Sequence, residues 1–174
     1  MNSAKFLLLS SVFLYTAEAF AQEPAAILEI GGAGSQNLKG GSSFGPDLAV
    51  EVTPIENWLE LEAGTSAVFR RHSAEWSTDL LFKKPWTLSE KVEFMIGAGP
   101  EWIHSRDSGV TTNSPGVTVV LDFMFWPSPK SRFGWYLEPG YDYSFGRGDE
   151  RSIGMSAGLL ISIPKRREHA VRQK

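Results

Sequence analysis

The sequence of 174 residues contains no cysteine, so stability must come from packing and backbone pairing without disulfides. Only three histidines are present, and they are scattered, which argues against a transition-metal site. No glycine-rich phosphate-binding loop precedes a helical pattern. The net charge of −3 argues against nucleic acid as a partner. We therefore expect no cofactor and no metal.

Long apolar runs are also missing beyond the amino terminus, so no membrane-spanning helix is predicted there. At the amino terminus itself, Lys5 precedes the short apolar run 6–13, and Ala19-Phe20-Ala21 follows. This order is typical of a secretory signal peptide, because the apolar run is too short to span a bilayer. We predict a signal peptide over residues 1–21 with cleavage after Ala21, and 17–19 offers a second possible signal.

What the sequence does contain is alternation, clearest in two segments near its end, 135–145 and 152–163. Side chains on a strand alternate between faces, so each segment has one apolar face and one small, polar or acidic face. The apolar face carries Trp135, Leu137, Pro139, Tyr141, Tyr143, Phe145, Ile153, Met155, Ala157, Leu159, Ile161 and Ile163. Each segment is about 11 residues long, roughly what a tilted strand needs to cross a hydrocarbon layer.

The same alternation predicts eight strands in all. They cover 25–34, 44–53, 58–69, 74–83, 92–103, 117–126, 134–145 and 152–163. The predicted fold class is all-β: an eight-stranded antiparallel up-and-down transmembrane β-barrel. It occupies residues 22–164 and is followed by a basic tail, 165–174.

The predicted connections differ between the two ends of the barrel. One end receives long polar stretches, Ser35–Ser43 and Ser105–Gly116, and the other receives compact proline-bearing turns, Pro54–Asn57 and Pro127–Arg132. Outer-membrane barrels place the short turns and both termini on the periplasmic side. The connection Lys84–Lys91 is longer than a tight turn and departs from this pattern.

Alternation does not say which face is inside, because a soluble lipocalin-like barrel has the same period with an apolar interior. Two observations favour an apolar exterior facing lipid. The polar face is rich in glycine and serine and carries acids but few lysines. In addition, aromatic residues bracket the aliphatic middle as two interfacial bands. These residues are Phe69, Trp76, Trp102, Tyr143 and Phe145 at one end and Phe82, Phe125 and Trp135 at the other.

With these features the chain resembles the small eight-stranded bacterial outer-membrane barrel proteins, the OmpA/OmpX-like and opacity-type surface proteins. The resemblance implies an outer-membrane location, contact with outer-membrane lipids, a monomer, and a surface or envelope-structural role without catalysis. One feature departs from the family, whose last strand typically ends on an aromatic residue. Here the strand ends at Ile163-Pro164, and basic residues follow.

Two alternatives remain open, a soluble periplasmic binding barrel and a barrel-embedded lipid hydrolase resembling lipid A deacylases. Such a hydrolase needs a serine, a histidine and an orienting acid. The candidates form two groups, Glu101, His104, Ser105 and Ser108, and His72, Ser73 and Glu75. Neither has the His-x-Ser spacing of that family, and His169 lies apart in the tail, so no catalytic residue is assigned. Arg147-Gly148-Asp149 matches ordinary turn composition as well as an integrin-binding tripeptide.

The predicted inner face is strongly acidic. Its carboxylates are Glu29, Glu51, Glu60, Glu62, Asp79, Glu93, Glu101, Asp122, Glu138 and Asp142. Unpaired buried carboxylates are costly, so we expect those at strand ends to face water and others to pair with Arg70, Lys83 and loop arginines. The roles of Asp122 and Glu138, in the middle of strands, stay open. A further hypothesis has Lys165–Arg167 folding back onto Glu51, Glu60 and Glu62.

Overall fold

The computed structural model describes residues 24–69, 73–107, 109–146 and 150–165. The predicted signal peptide, Arg70, His72, Ser108, the tripeptide 147–149 and the tail from 166 onward lie outside these ranges. The described residues form eight strands: β1 (Pro24–Asn37), β2 (Ser42–Ile55), β3 (Leu59–Phe69), β4 (Ser73–Ser89), β5 (Val92–Asp107), β6 (Val110–Phe125), β7 (Phe133–Ser144) and β8 (Glu150–Pro164). No described segment is a helix long and apolar enough to cross a membrane.

Each strand pairs antiparallel with the next, and β1 pairs with β8, which closes the sheet into a barrel. The predicted fold, an eight-stranded antiparallel up-and-down barrel, is thereby confirmed. We call the end that has the start of β1, the end of β8 and the β2–β3, β4–β5 and β6–β7 connections the lower end, and the opposite end the upper end. Closure leaves no unpaired strand edge, which in an open sheet would invite aggregation.

The closing seam between β1 and β8 depends on two facing glycines. Gly31 and Gly158 are register partners across it. A Cβ atom on Gly31 would lie 2.3 Å from the carbonyl oxygen of Ala157, and one on Gly158 would lie 2.3 Å from that of Ile30. Because neither position has room for a side chain, the two backbones approach closely where the narrow barrel closes.

The outer face of the barrel is apolar, as the alternation predicts. On β8, for example, Ile153, Met155 and Leu159 are between 55% and 60% exposed, while Leu160 beside them is fully buried. Large hydrophobic side chains are exposed in this way on every strand. A water-soluble monomer rarely exposes so much contiguous apolar surface.

Two aromatic bands border this apolar surface. Around the upper end, the exposed rings are Phe44, Phe69, Trp76, Trp102 and Phe145. Around the lower end, neighbouring strands stack aromatic rings, with centroid separations of 5.8 Å for Trp86–Phe94, 4.9 Å for Phe94–Phe123 and 5.9 Å for Phe125–Trp135. In this lower band, Trp86 takes the place that was predicted for Phe82. Phe82 lies on the same strand but nearer the middle of the barrel, opposite Leu61 and Ala98.

Three predicted connections turn out to belong largely to strands. β4 continues through Lys84 to Ser89, which removes the misfit at 84–91 and leaves only Glu90 and Lys91 as the turn. The polar segment Ser105–Gly116 forms the upper part of the β5–β6 hairpin, with Ser105 opposite Thr112. Within Ser35–Ser43, Ser35 pairs with Ser43 and Gln36 with Ser42, so only residues 38–41 lie outside the strands. The expectation of long loops at one end was therefore wrong, since polar side chains are tolerated where a strand leaves the apolar zone.

The lower part of the barrel interior is closed by an apolar plug. Its buried members are Ile27, Met95, Met124, Tyr136 and Leu160, with Trp126 packed against them. The lower end therefore has the character of an ordinary protein core, and the polar groups of the lumen begin above it.

Candidate functional site

The site is centred on one inward-facing lysine. On β4 the side chains alternate, so Leu81 and Lys83 point into the lumen while Leu80 and Phe82 point outward. Lys83 is 1% exposed, and its Nζ donates hydrogen bonds to Asp122 Oδ2 at 2.9 Å and Glu138 Oε2 at 2.8 Å. These contacts reach β6 and β7, two and three strands away, because the wall of an eight-stranded barrel curves tightly around a narrow lumen.

Further carboxylates from β2 and β3 surround the same ammonium group. Glu62 forms a close ion pair with Lys83, and Glu51 Oε2 lies 3.7 Å from Nζ. These two glutamates are register partners on β2 and β3, so their side chains enter the lumen at the same height. Glu29 on β1 joins them, and one oxygen from each of Glu29, Glu51, Glu62 and Asp122 lies within 4.8 Å of the other three.

This group, which we call the Lys83 cluster, consists of Lys83 and the carboxylates Glu29, Glu51, Glu62, Asp122 and Glu138. Five carboxylates and one ammonium give it a formal charge of −4 when all are ionised. Several carboxylate oxygens are buried without a hydrogen-bond partner among the described residues: Glu29 Oε1, both oxygens of Glu51, and Asp122 Oδ1. A single lysine therefore offsets only part of the buried negative charge.

The structure answers the question left open for Asp122 and Glu138, since both pair directly with Lys83. The expected pairing of Lys83 with inner-face acids is confirmed, whereas Arg70 lies outside the described residues. Glu51 and Glu62 are buried beside Lys83 at 1% and 4% exposure, so they do not stand at an open mouth. The hypothesis that the tail folds onto them loses its motive, and residues 166–174 lie outside the described ranges.

Above the Lys83 cluster the lumen widens into a polar cavity of about 120 Å³. All of its charged lining residues are carboxylates: Asp47, Glu62, Glu75, Asp79, Glu101, Glu138 and Asp142. Hydroxyl groups partner some of them, for example Ser152 Oγ, which donates to Asp142 Oδ2 at 3.2 Å. At the cavity's lower edge, the Tyr136 hydroxyl donates to Asp47 Oδ2 at 2.9 Å and connects the cavity to the apolar plug.

The cavity continues upward into the mouth of the barrel, a space of about 300 Å³. Glu75, Asp142 and Ser152 line both spaces, and Asp107 and Glu150 add carboxylates at the top. Neither lining includes a lysine or an arginine from the described residues. The upper half of the lumen is thus an acidic vestibule that leads from the mouth down to the Lys83 cluster.

Those candidate hydrolase residues of the first group that the structure describes are not assembled into a catalytic group. On β5, Glu101 and Ser105 face the lumen, whereas His104 faces outward and bonds through Nδ1 to Asn113 Oδ1 at 2.8 Å. Ser105 Oγ is instead bonded to Thr112 Oγ1 at 3.0 Å. Consecutive strand residues point to opposite faces, so His104 cannot reach Ser105 or Glu101. Ser108 and His72 lie outside the described residues.

Comparison with solved structures places the fold among outer-membrane barrels. Neisserial surface protein A aligns with a TM-score of 0.64 at 14% identity, covering 79% of this chain and 96% of that one. The N-terminal barrel domain of Pseudomonas aeruginosa OprF gives 0.56 at 13% identity, with coverages of 80% and 100%. Ail, the attachment invasion locus protein of Yersinia pestis, gives 0.53 at 14% identity, with coverages of 80% and 99%.

No family model matches the sequence, and no curated protein matches it. At such low identity the structural likeness demonstrates the fold alone. The expected resemblance to small eight-stranded outer-membrane barrels is confirmed at that level. Any function must therefore be argued from this chain's own surface and lumen.

Proposed function

We propose that the protein is a monomeric outer-membrane β-barrel with a surface or envelope-structural role and no catalytic activity. The observation that carries the proposal is the pairing of an apolar outer face, bordered by two aromatic bands, with a polar lumen. Exposed leucine, isoleucine and valine side chains are stable against acyl chains, and tryptophan rings prefer the interface between acyl chains and headgroups.

The soluble binding barrel is disfavoured by the same distribution. Such a barrel would bury its apolar face around a ligand and expose its polar face. In this chain, Leu121 and Leu159 are 40% and 60% exposed, whereas Lys83 and Asp122 are buried. If water surrounded the barrel, the apolar outer face would be exposed to it while the charged groups inside remained dehydrated. Both the exposed apolar surface and the buried charges are unfavourable in that arrangement.

The expected partners are outer-membrane lipids, with the upper end facing outward from the cell. The β5–β6 hairpin supports this orientation, because its outward residues beyond Trp102 are polar: His104, Arg106, Thr111 and Asn113. At the upper end the strands thus extend past the apolar zone, and outer-membrane barrels carry their longer extensions on the extracellular side.

A conducting pore is not part of the proposal. The apolar plug and the Lys83 cluster fill successive levels of the lumen, which agrees with the small interior of eight-stranded barrels. We expect no stable channel events from the reconstituted protein in planar bilayers.

Fractionation combined with gel mobility tests the location. Expressed with its own amino terminus in a Gram-negative host, the protein should appear in the outer-membrane fraction. Unheated samples should migrate faster in detergent gels than boiled ones, because the closed barrel resists the detergent. Recovery from the soluble periplasmic fraction, with no mobility change on boiling, would favour the soluble barrel instead.

A further inference from the structure

The Lys83 cluster combines a large negative charge with unusually close carboxylate oxygens. Glu29 and Glu51 are each 1% exposed, and Asp122 is fully buried. Glu29 Oε1, Asp122 Oδ1 and both Glu51 oxygens receive no hydrogen bond from a donor group of the described residues, and Glu60, a further buried carboxyl, lies against Glu51. Buried ionised carboxylates in this state are destabilising unless a proton or a cation neutralises them.

The positions of the oxygens indicate which neutralising species fits. One oxygen from each of Glu29, Glu51, Glu62 and Asp122 lies within 4.8 Å of the others. Ligands on opposite sides of a calcium ion are separated by about 5 Å, and those around a magnesium ion by only about 4.2 Å. All four oxygens can thus contact one cation, and a site of four carboxylates favours calcium because magnesium usually takes only one or two carboxylates and keeps several waters. An all-oxygen donor set is what hard divalent cations prefer.

We propose that Glu29, Glu51, Glu62 and Asp122 bind a divalent cation of calcium's size inside the barrel. The four carboxylates supply up to eight oxygen atoms, which covers the six to eight ligands that calcium takes. The sequence alone predicts no metal, and the proposed site does not depend on whether the exterior of the barrel faces lipid or water.

Lys83 has a defined place beside such an ion. Its Nζ holds Asp122 and Glu138 by hydrogen bonds and pairs with Glu62 and Glu51, so it contacts three of the four proposed ligands. Glu138 is the carboxylate of the cluster outside the ligand set, and it offsets the lysine charge. The four ligand carboxylates then face the two positive charges of the cation.

The vestibule provides an entry path from the mouth. Glu62 belongs both to the proposed site and to the lining of the cavity above it. Acidic walls raise the local concentration of cations, and water from the cavity can complete the coordination. Below the site, the apolar plug closes the path, so the cation is held at a dead end and not conducted.

The experiment uses the full chain, folded in detergent micelles, stripped with EDTA and exchanged into metal-free buffer near pH 8. Calorimetric titration with calcium chloride should show one ion per barrel with a dissociation constant tighter than about 1 mM, and magnesium should bind at least tenfold more weakly. Glu29→Gln should weaken calcium binding at least tenfold. Asp142→Asn is the matched control, because it removes one charge from the vestibule outside the site, and its calcium affinity should stay within about threefold of the parent.

Thermal unfolding separates cation binding from simple proton sharing. If a cation neutralises the cluster, calcium raises the melting temperature of the parent protein and has little effect on Glu29→Gln. If protons suffice, calcium leaves the parent unchanged, and Glu29→Gln melts at or above the parent in EDTA, which would overturn the proposal. Undiminished calcium binding by Glu29→Gln would overturn it equally. Glu51→Gln repeats the test should Glu29→Gln fail to fold.

Discussion

Lys83 Nζ lies 2.9 Å from Asp122 Oδ2, although the two residues stand on β4 and β6, which are separated by β5. Two strands that do not pair with each other come into side-chain contact here because the sheet curves tightly around the narrow lumen. Both side chains are inaccessible to solvent, so neither charge can be compensated by water if its partner is removed. We therefore expect the stability of the barrel to depend on this buried ion pair.

The first prediction follows from this relationship. Lys83→Met should lower the free energy of unfolding by about 3–5 kcal/mol, because it leaves the buried carboxylates without their counterion. Lys84→Met is the control. Its side chain lies on the opposite face and donates to the exposed carbonyl oxygen of Asn57, so it should cost less than about 1 kcal/mol.

Urea unfolding of both variants in detergent or lipid vesicles measures the difference. Equal stabilities for Lys83→Met and Lys84→Met would have one of two explanations. Either the methionine side chain packs in the Lys83 cluster as well as lysine does, or the carboxylates are already neutral and need no counterion. Either result would contradict the central role given to Lys83.

The second prediction concerns the lipid-facing surface. Leu121→Arg and Leu159→Arg place a charge on the exposed apolar face and should each cost about 2–4 kcal/mol in bilayers. Ser156→Arg, on the inner face, should be milder, since Ser156 Oγ already lies 3.4 Å from Glu138 Oε1 and an arginine there gains an acidic partner. Folding into lipid vesicles, followed by urea titration, checks the order. If Leu121→Arg left the free energy of unfolding unchanged while Ser156→Arg lowered it, the inner and outer faces would be the reverse of those assigned.

Much of this fold could be predicted from the sequence, because a period of two is visible in short segments without knowledge of what lies nearby. The ends of the strands were harder to predict than their existence. Serine, threonine, glycine and proline in 105–116 are typical of loops, yet in the structure Ser105–Thr112 and Asp107–Val110 pair across a hairpin. Local composition does not reveal that a neighbouring strand is available to satisfy the backbone.

The Lys83 cluster could be predicted only in part. Alternation placed Lys83 and the acidic residues on the same face. Because few lysines point inward, Lys83 could be expected to pair with several of these carboxylates. Which acids meet it depends on how strands from opposite walls are staggered in the closed barrel. Glu29 and Asp122 stand far apart in sequence, and no local pattern connects them.

The third prediction tests the remaining enzymatic alternative. We expect no release of fatty acid from lipid A or phospholipid by the purified protein, because His104 points away from Ser105 and Glu101. His104→Ala should fold normally, losing only an exposed contact to Asn113. Thin-layer analysis of lipid products checks the activity. Robust turnover by the parent that disappears in folded His104→Ala would overturn the non-catalytic proposal.

The last prediction concerns how closely the strands of the barrel approach at a lumen-facing glycine. A Cβ atom on Gly99 of β5 would lie 1.8 Å from the carbonyl oxygen of Leu80 on β4, whereas the nearest atoms to one on Gly154 of β8 lie at 3.6 Å. Backbone cannot yield as a flexible side chain can, so Gly99→Ala should force the β4–β5 ladder apart and destabilise the barrel by about 1–3 kcal/mol. Gly154→Ala adds the same methyl group where there is room, and it should change the stability by less than about 1 kcal/mol. Urea midpoints of the two variants in the same detergent provide the comparison. If Gly99→Ala matched Gly154→Ala in stability, β4 and β5 would be less closely apposed at Leu80 than the structure shows.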